Sequence, residues 1–83
     1  MSETGQGDMT VQSQLRAARA MLGMSQADVA ELTGKTTKTI RRAETEADTV
    51  SEDTIAAIRG ALEAAGVEFI AENGGGAGVR LRK

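Results

Sequence analysis

Residues Ser25 to Glu44 read SQADVAELTGKTTKTIRRAE, and this stretch divides at Gly34 into two helices joined by a tight turn. Ser25 and Asp28 stand three apart ahead of Val29 and Leu32, a variant of the capping box in which an acidic side chain reaches back to the free N–H groups of the first turn. Gly34 supplies a stop that tolerates the left-handed backbone, and two residues later Thr36 can cap a new helix carrying Ile40 and Ala43 on its buried face. Helix, glycine turn and helix packed this closely form a supersecondary unit rather than two neighbouring elements.

The second of these helices has two different sides. At about 100° per residue, Ile40 and Ala43 share the core-facing side with Thr36 and Thr39, while Thr37, Lys38, Arg41, Arg42 and Thr45 fan out opposite. A helix face with two arginines, a lysine, hydroxyls and no acid supplies donors for phosphates and for the acceptor edge of guanine in a major groove.

On the N-terminal side, Val11, Leu15, Ala18 and Leu22 recur at i, i+4, i+7 and i+11, predicting a first helix from about Met9 or Thr10 to a stop at Gly23. Residues 1–8 have no apolar anchor beyond Met1 and read as a disordered tail. On the C-terminal side, the polar connector TEADTV (45–50) leads to Ser51, which caps a fourth helix, with Val50 and Ile55 placed to close a hydrophobic staple. The buried stripe of that helix is Ile55, Ile58, Leu62 and Ala65, Gly60 within it is tolerated, and Gly66 ends it. From Val67 the period changes to two: Val67 and Phe69 point one way, and beyond the loop AENGGGAG (71–78) Val79 and Leu81 alternate with Arg80 and Arg82. Two short strands paired as a hairpin are expected.

Composition bounds what such a unit can do. The 83 residues fit one small domain. Leu, Ile, Val and Phe make up 15 of them, so the core is aliphatic and thin and a second copy is an expected source of buried surface. A net charge of only −2 argues against wholesale disorder. With no Cys and no His, there is no disulfide, thiol nucleophile, imidazole base or Cys/His metal site. No catalytic residue, metal or cofactor is expected. The triple glycine at 74–76 precedes VRLRK, a strand pattern rather than a helix, so it is not a phosphate-cradling loop. Glu52, Asp53 and Glu63 read as ordinary helix-surface acids. No long apolar run and no signal-peptide pattern occurs, so a soluble cytoplasmic protein without a membrane role is expected. Charge is uneven, with −2 over residues 1–8, +3 over 9–45, −6 over 46–76 and +3 over 77–83.

Over residues 15–62 the chain resembles the XRE-type helix-turn-helix family of phage Cro and cI repressors. The likeness is carried by Ser25-Gln26, Val29-Ala30, the turn at Gly34, Thr39-Ile40 and Glu44. It implies a mainly α fold: a four-helix lambda-repressor-like helix-turn-helix domain over residues 9–66, with a short C-terminal β element over 67–83 similar to extensions on small bacterial regulators of the family. It further implies that Gln26 makes a phosphate or base-supporting contact. Thr37, Lys38 and Arg42 would read bases, and Thr36, Thr39 and Arg41 would grip the backbone. Arg19 and Glu44 match a pair that bridges the first and third helices of the family. The chain departs from the family at Lys35, where an apolar residue is usual, and at Glu46, Ala47 and Asp48, which replace small polar and glycine residues close to the phosphates.

The expected function is that of a transcription regulator, a homodimeric repressor that binds double-stranded operator DNA through a recognition helix near residues 36–45. Two such helices need a spacing of about 34 Å, and Val67, Phe69, Ile70, Val79 and Leu81 are the candidate dimerisation residues that would fix it. The rival arrangement folds the hairpin back on its own fourth helix and dimerises through helices. The alternative function is a protein-binding module, an antitoxin or anti-activator that docks a toxin or an activator through the tail or the acidic fourth helix. RNA polymerase could also be touched through Asp28 and Glu31.

Overall fold

Each of the four α-helices among the described residues starts on a hydroxyl. The structure, a computed structural model, describes residues 10–71 and 76–82. It contains α1 (Val11–Met21), α2 (Gln26–Thr33), α3 (Thr37–Thr45), a single 3-10 turn (Ala47–Thr49), α4 (Glu52–Ala65), β1 (Val67–Ile70) and β2 (Gly78–Leu81). The side-chain oxygens of Thr10, Ser25, Thr36 and Ser51 accept the backbone N–H of Ser13, Asp28, Thr39 and Thr54 at 3.2, 3.0, 3.1 and 3.2 Å. Each such cap is worth about 1 kcal/mol. At α2 the box is reciprocal, because the Ser25 N–H also donates to Asp28 Oδ2 at 2.8 Å. Gly34 closes α2 at φ +72°, the left-handed conformation that its lack of a Cβ permits.

Leu15, Ala18, Val29, Ala30, Ile40, Ala43, Ile58, Leu62 and Val67 form the buried core, with Leu22, Met24, Val50, Ile55, Phe69 and Val79 packed at its margin. α3 lies against both α1 and α2, and α4 packs on α2 and α1. Two positions of the expected stripes fall outside the core. Ala65 is exposed, because it ends α4 and nothing packs over it. Val11, in the first turn of α1, is also exposed, and the buried position of that turn goes to Gln14. Gly60 is exposed with open space where a Cβ would stand, so it is tolerated rather than required for close packing.

The two strands pair antiparallel within the chain, with Val67 opposite Leu81 and Phe69 opposite Val79. β2 rests on α1 and β1 on α4 and α1. Gln14, buried in α1, donates from Nε2 to the Gly78 carbonyl at 2.9 Å and to the Ile70 carbonyl at 3.5 Å, gripping both strands next to the loop. Arg82 holds the opposite end, its N–H donating to the Gly66 carbonyl at 2.7 Å and its guanidinium to the Glu63 carbonyl at 2.6 Å. Arg59 lies over the Phe69 ring, 5.4 Å from its centre, and shields it. The expected tail at 1–8, the start of α1 at Met9, the loop residues 72–75 and Lys83 lie outside the described residues.

Candidate nucleic-acid interface

α3 is held at both ends. At its N-terminus Thr36 caps the first turn. At its C-terminal turn Glu44 points inward, 3% exposed, where Arg19 of α1 donates from Nε to Oε2 at 2.7 Å and from Nη2 to Oε1 at 3.0 Å. The remaining Arg19 nitrogen donates to the Met24 carbonyl at 3.0 Å, tying the α1–α2 turn to the same group. Gln26 Nε2 adds a third donor to Glu44, at 3.1 Å. The hydrogen bond to Glu44 is the main cause that holds the Arg19 guanidinium above its ordinary range, against the opposing pull of burial. One carboxylate therefore gathers α1, the first residue of α2 and the last turn of α3. A two-point Arg–carboxylate contact also fixes direction, so the angle of α3 is set as well as its distance.

With Ile40, Ala43 and Glu44 turned inward, the other side of α3 faces solvent. Thr37, Lys38, Arg41, Arg42 and Thr45 are all exposed, as the helical period predicts. Thr36 is exposed too, being the cap, and Thr39 is half-buried beneath it. Lys38, Arg41, Arg42, Thr45 and Glu46 line one shallow depression, and Lys38, Thr39 and Arg42 line another with Thr49 and Val50. Among the described residues neither Lys38 nor Arg41 nor Arg42 takes part in an ion pair. Three cations thus project from one short helix with no ion-pair partner among the described residues.

The helix-turn-helix family model HTH_3 matches residues 15–67, which is more than half of the chain and contains the whole of α2, the turn and α3. The chain belongs to the XRE-type helix-turn-helix family. Comparison with curated proteins gives no significant match. Membership makes it a DNA-binding helix-turn-helix regulator, in which α3 occupies the place of the recognition helix. No helix among the described residues is long and apolar enough to cross a membrane.

The remaining candidate residues of this XRE-type protein occupy varied places. Gln26, half-buried at the first position of α2, is turned to Glu44. Val67 is fully buried in the chain's own core, Phe69, Ile70 and Val79 are half-buried, and Leu81 is 49% exposed. Lys35 is exposed in the turn. The acidic connector sits where the departures from the family pattern placed it: Glu46 follows α3 directly, and the 3-10 turn bearing exposed Asp48 is pinned by the Ala47 N–H donating to Gln12 Oε1 at 3.1 Å.

Sequence reasoning missed Gln12 and Gln14. Gln14 stands four residues before Ala18 on the buried stripe of α1, so a polar residue interrupting an apolar face was the available signal. Nothing in the sequence marks Gln12 as the anchor of the connector.

Proposed function

We propose that this chain is a sequence-specific DNA-binding repressor that acts as a homodimer on operator DNA. The observation that carries the reading is the outward face of α3, where Lys38, Arg41 and Arg42 are exposed and without an ion-pair partner among the described residues, on a helix clamped by the Arg19–Glu44 contact. Side chains of this type reach base edges from a recognition helix lying in the major groove. On this reading Thr37, Lys38 and Arg42 read bases, while Thr36, Thr39 and Arg41 hold phosphates. Gln26 supports them from the start of α2, with one amide hydrogen committed to Glu44.

The homodimer is supported by the small aliphatic core and by the two free edges of a two-stranded sheet, which invite further pairing. Since Val67 is spent on the chain's own core, the contact between copies would use Leu81, Ile70, the margins of Phe69 and Val79, and the strand edges. The test is a fluorescence-anisotropy titration of upstream and random duplexes at several salt concentrations, with sedimentation of the same samples. Tighter binding of one upstream duplex by a dimer is the expected result, with affinity falling as salt rises.

One observation favours a second reading. Glu46 is exposed in the same depression as Lys38, Arg41 and Arg42 and opposes phosphate contact, as it would in a protein-binding module such as an antitoxin or anti-activator. Absence of binding to any duplex at low salt selects that reading.

A further inference from the structure

The outward face of α3 offers charged donors and threonine hydroxyls, with no amide or carboxylate among them. The Thr45 hydroxyl donates to the Arg41 carbonyl at 2.9 Å. The hydroxyls of Thr36 and Thr39 share one hydrogen bond of 3.0 Å, and the Thr36 oxygen also accepts the Thr39 amide. Lys38, Arg41 and Arg42 are left exposed, and none of them can accept a hydrogen bond. From Thr36 to Thr45 there is no Asn, Gln or Asp, and the single carboxylate, Glu44, is buried and taken by Arg19 and Gln26. Gln26, at the start of α2, has its Nε2 turned to that same carboxylate. Glu46 stands beyond the C-terminal end of α3, one turn past Arg42.

A face whose long side chains are all donors selects among base pairs, the Thr37 and Thr45 hydroxyls being able to donate or accept and so adding no selection of their own. Guanine presents two adjacent acceptors in the major groove, O6 and N7. Adenine pairs its N7 acceptor with an N6 donor and calls for an amide, cytosine presents a donor, and thymine a lone acceptor beside a methyl group. Lys38 and Arg42 are one helical turn apart, about 6 Å along the axis, which is close to two base-pair steps of about 3.4 Å. We infer that each DNA half-site read by this chain carries two guanines, on either strand, within about three base pairs of one another, one contacted by Lys38 and the other by Arg42 through O6 and N7. The inference rests on the DNA-reading function proposed above and names its target chemistry.

The test is selection of binding sites from randomised duplexes with the full chain, followed by titration of the selected duplex carrying single base analogues. Expected are two close guanines per half-site, and a loss of about 5- to 150-fold when either is replaced by 7-deazaguanine, which lacks the N7 acceptor. Inosine, which keeps O6 and N7 and loses only the minor-groove amino group, should leave affinity within about twofold. Lys38→Ala should erase the preference at one guanine and Arg42→Ala at the other. Selected half-sites without guanine, or guanines indifferent to the 7-deaza change, overturn the inference while DNA reading stands. Failure to bind any duplex removes the DNA-reading function itself, and the base-analogue readings do not depend on how the protein variants fold.

Discussion

Arg19 of α1 and Glu44 of α3 meet through two parallel hydrogen bonds of 2.7 and 3.0 Å, with the carboxylate 3% and the guanidinium side chain 19% exposed. At this depth the pair is not a surface decoration. Removing one partner leaves the other charge in a poorly solvated place, so Glu44→Ala and Arg19→Ala should each destabilise the fold by about 3 kcal/mol. Urea unfolding measures this, and unchanged midpoints in both variants reject the structural role.

Lys38 and Arg42 should separate from Arg41 in binding assays. Replacing Lys38 or Arg42 by Ala is expected to weaken specific binding by about 1 to 3 kcal/mol and to relax sequence preference, because base-edge donors are lost. Arg41→Ala should weaken operator and random DNA alike and lower the salt slope. Equal losses on both kinds of duplex for all three variants would leave only an electrostatic footprint.

Gln14 is the link between α1 and the loop end of the hairpin. Gln14→Leu keeps the apolar contact and loses the donor, for an expected cost of about 1 kcal/mol. Gln14→Glu sets a carboxylate against two carbonyls and should cost more at pH 7 than at pH 4, where a protonated carboxyl can again donate. Hydrogen exchange of the amides of β1 and β2 should rise first; exchange unchanged in Gln14→Glu contradicts the assignment.

The acidic connector should act as a brake on phosphate contact. Glu46→Gln and Asp48→Asn are each expected to tighten DNA binding by about 0.5 kcal/mol at low salt, an effect that screening shrinks as ionic strength rises. Anisotropy titrations at two salt concentrations check it, and weaker binding in both variants would place the connector away from the DNA.

Val67 and Leu81 face each other across the sheet yet differ in burial. Val67→Ala opens a cavity in the core and should lower stability by about 2 kcal/mol. Leu81→Glu should leave the melting temperature of the monomer nearly unchanged while lowering the sedimentation coefficient at micromolar concentration. A Leu81→Glu protein that sediments like the parent puts the contact between copies elsewhere.

Local chemistry made much of this legible in the sequence. The Ser25–Asp28 box, the Thr36 and Ser51 caps, the left-handed Gly34 and the sidedness of α3 each depend on residues within one or two turns of each other, so spacing alone specifies them. The change from period 3.6 to period 2 at Val67 likewise marks the hairpin, though the register of its pairs is seen only in the structure. What spacing cannot supply is the partner across a gap in the chain. Gln14 reaches 64 residues ahead to Gly78, Gln12 reaches 35 residues ahead to Ala47, and Gln26 turns to Glu44. A polar side chain takes whichever buried partner the packed helices bring near, because leaving it unpaired costs more than any local preference. For the same reason the sheet's inward face was decided only in three dimensions: the pattern shows that Val67, Phe69 and Val79 need cover, and the placement of α1 and α4 supplies it within the chain.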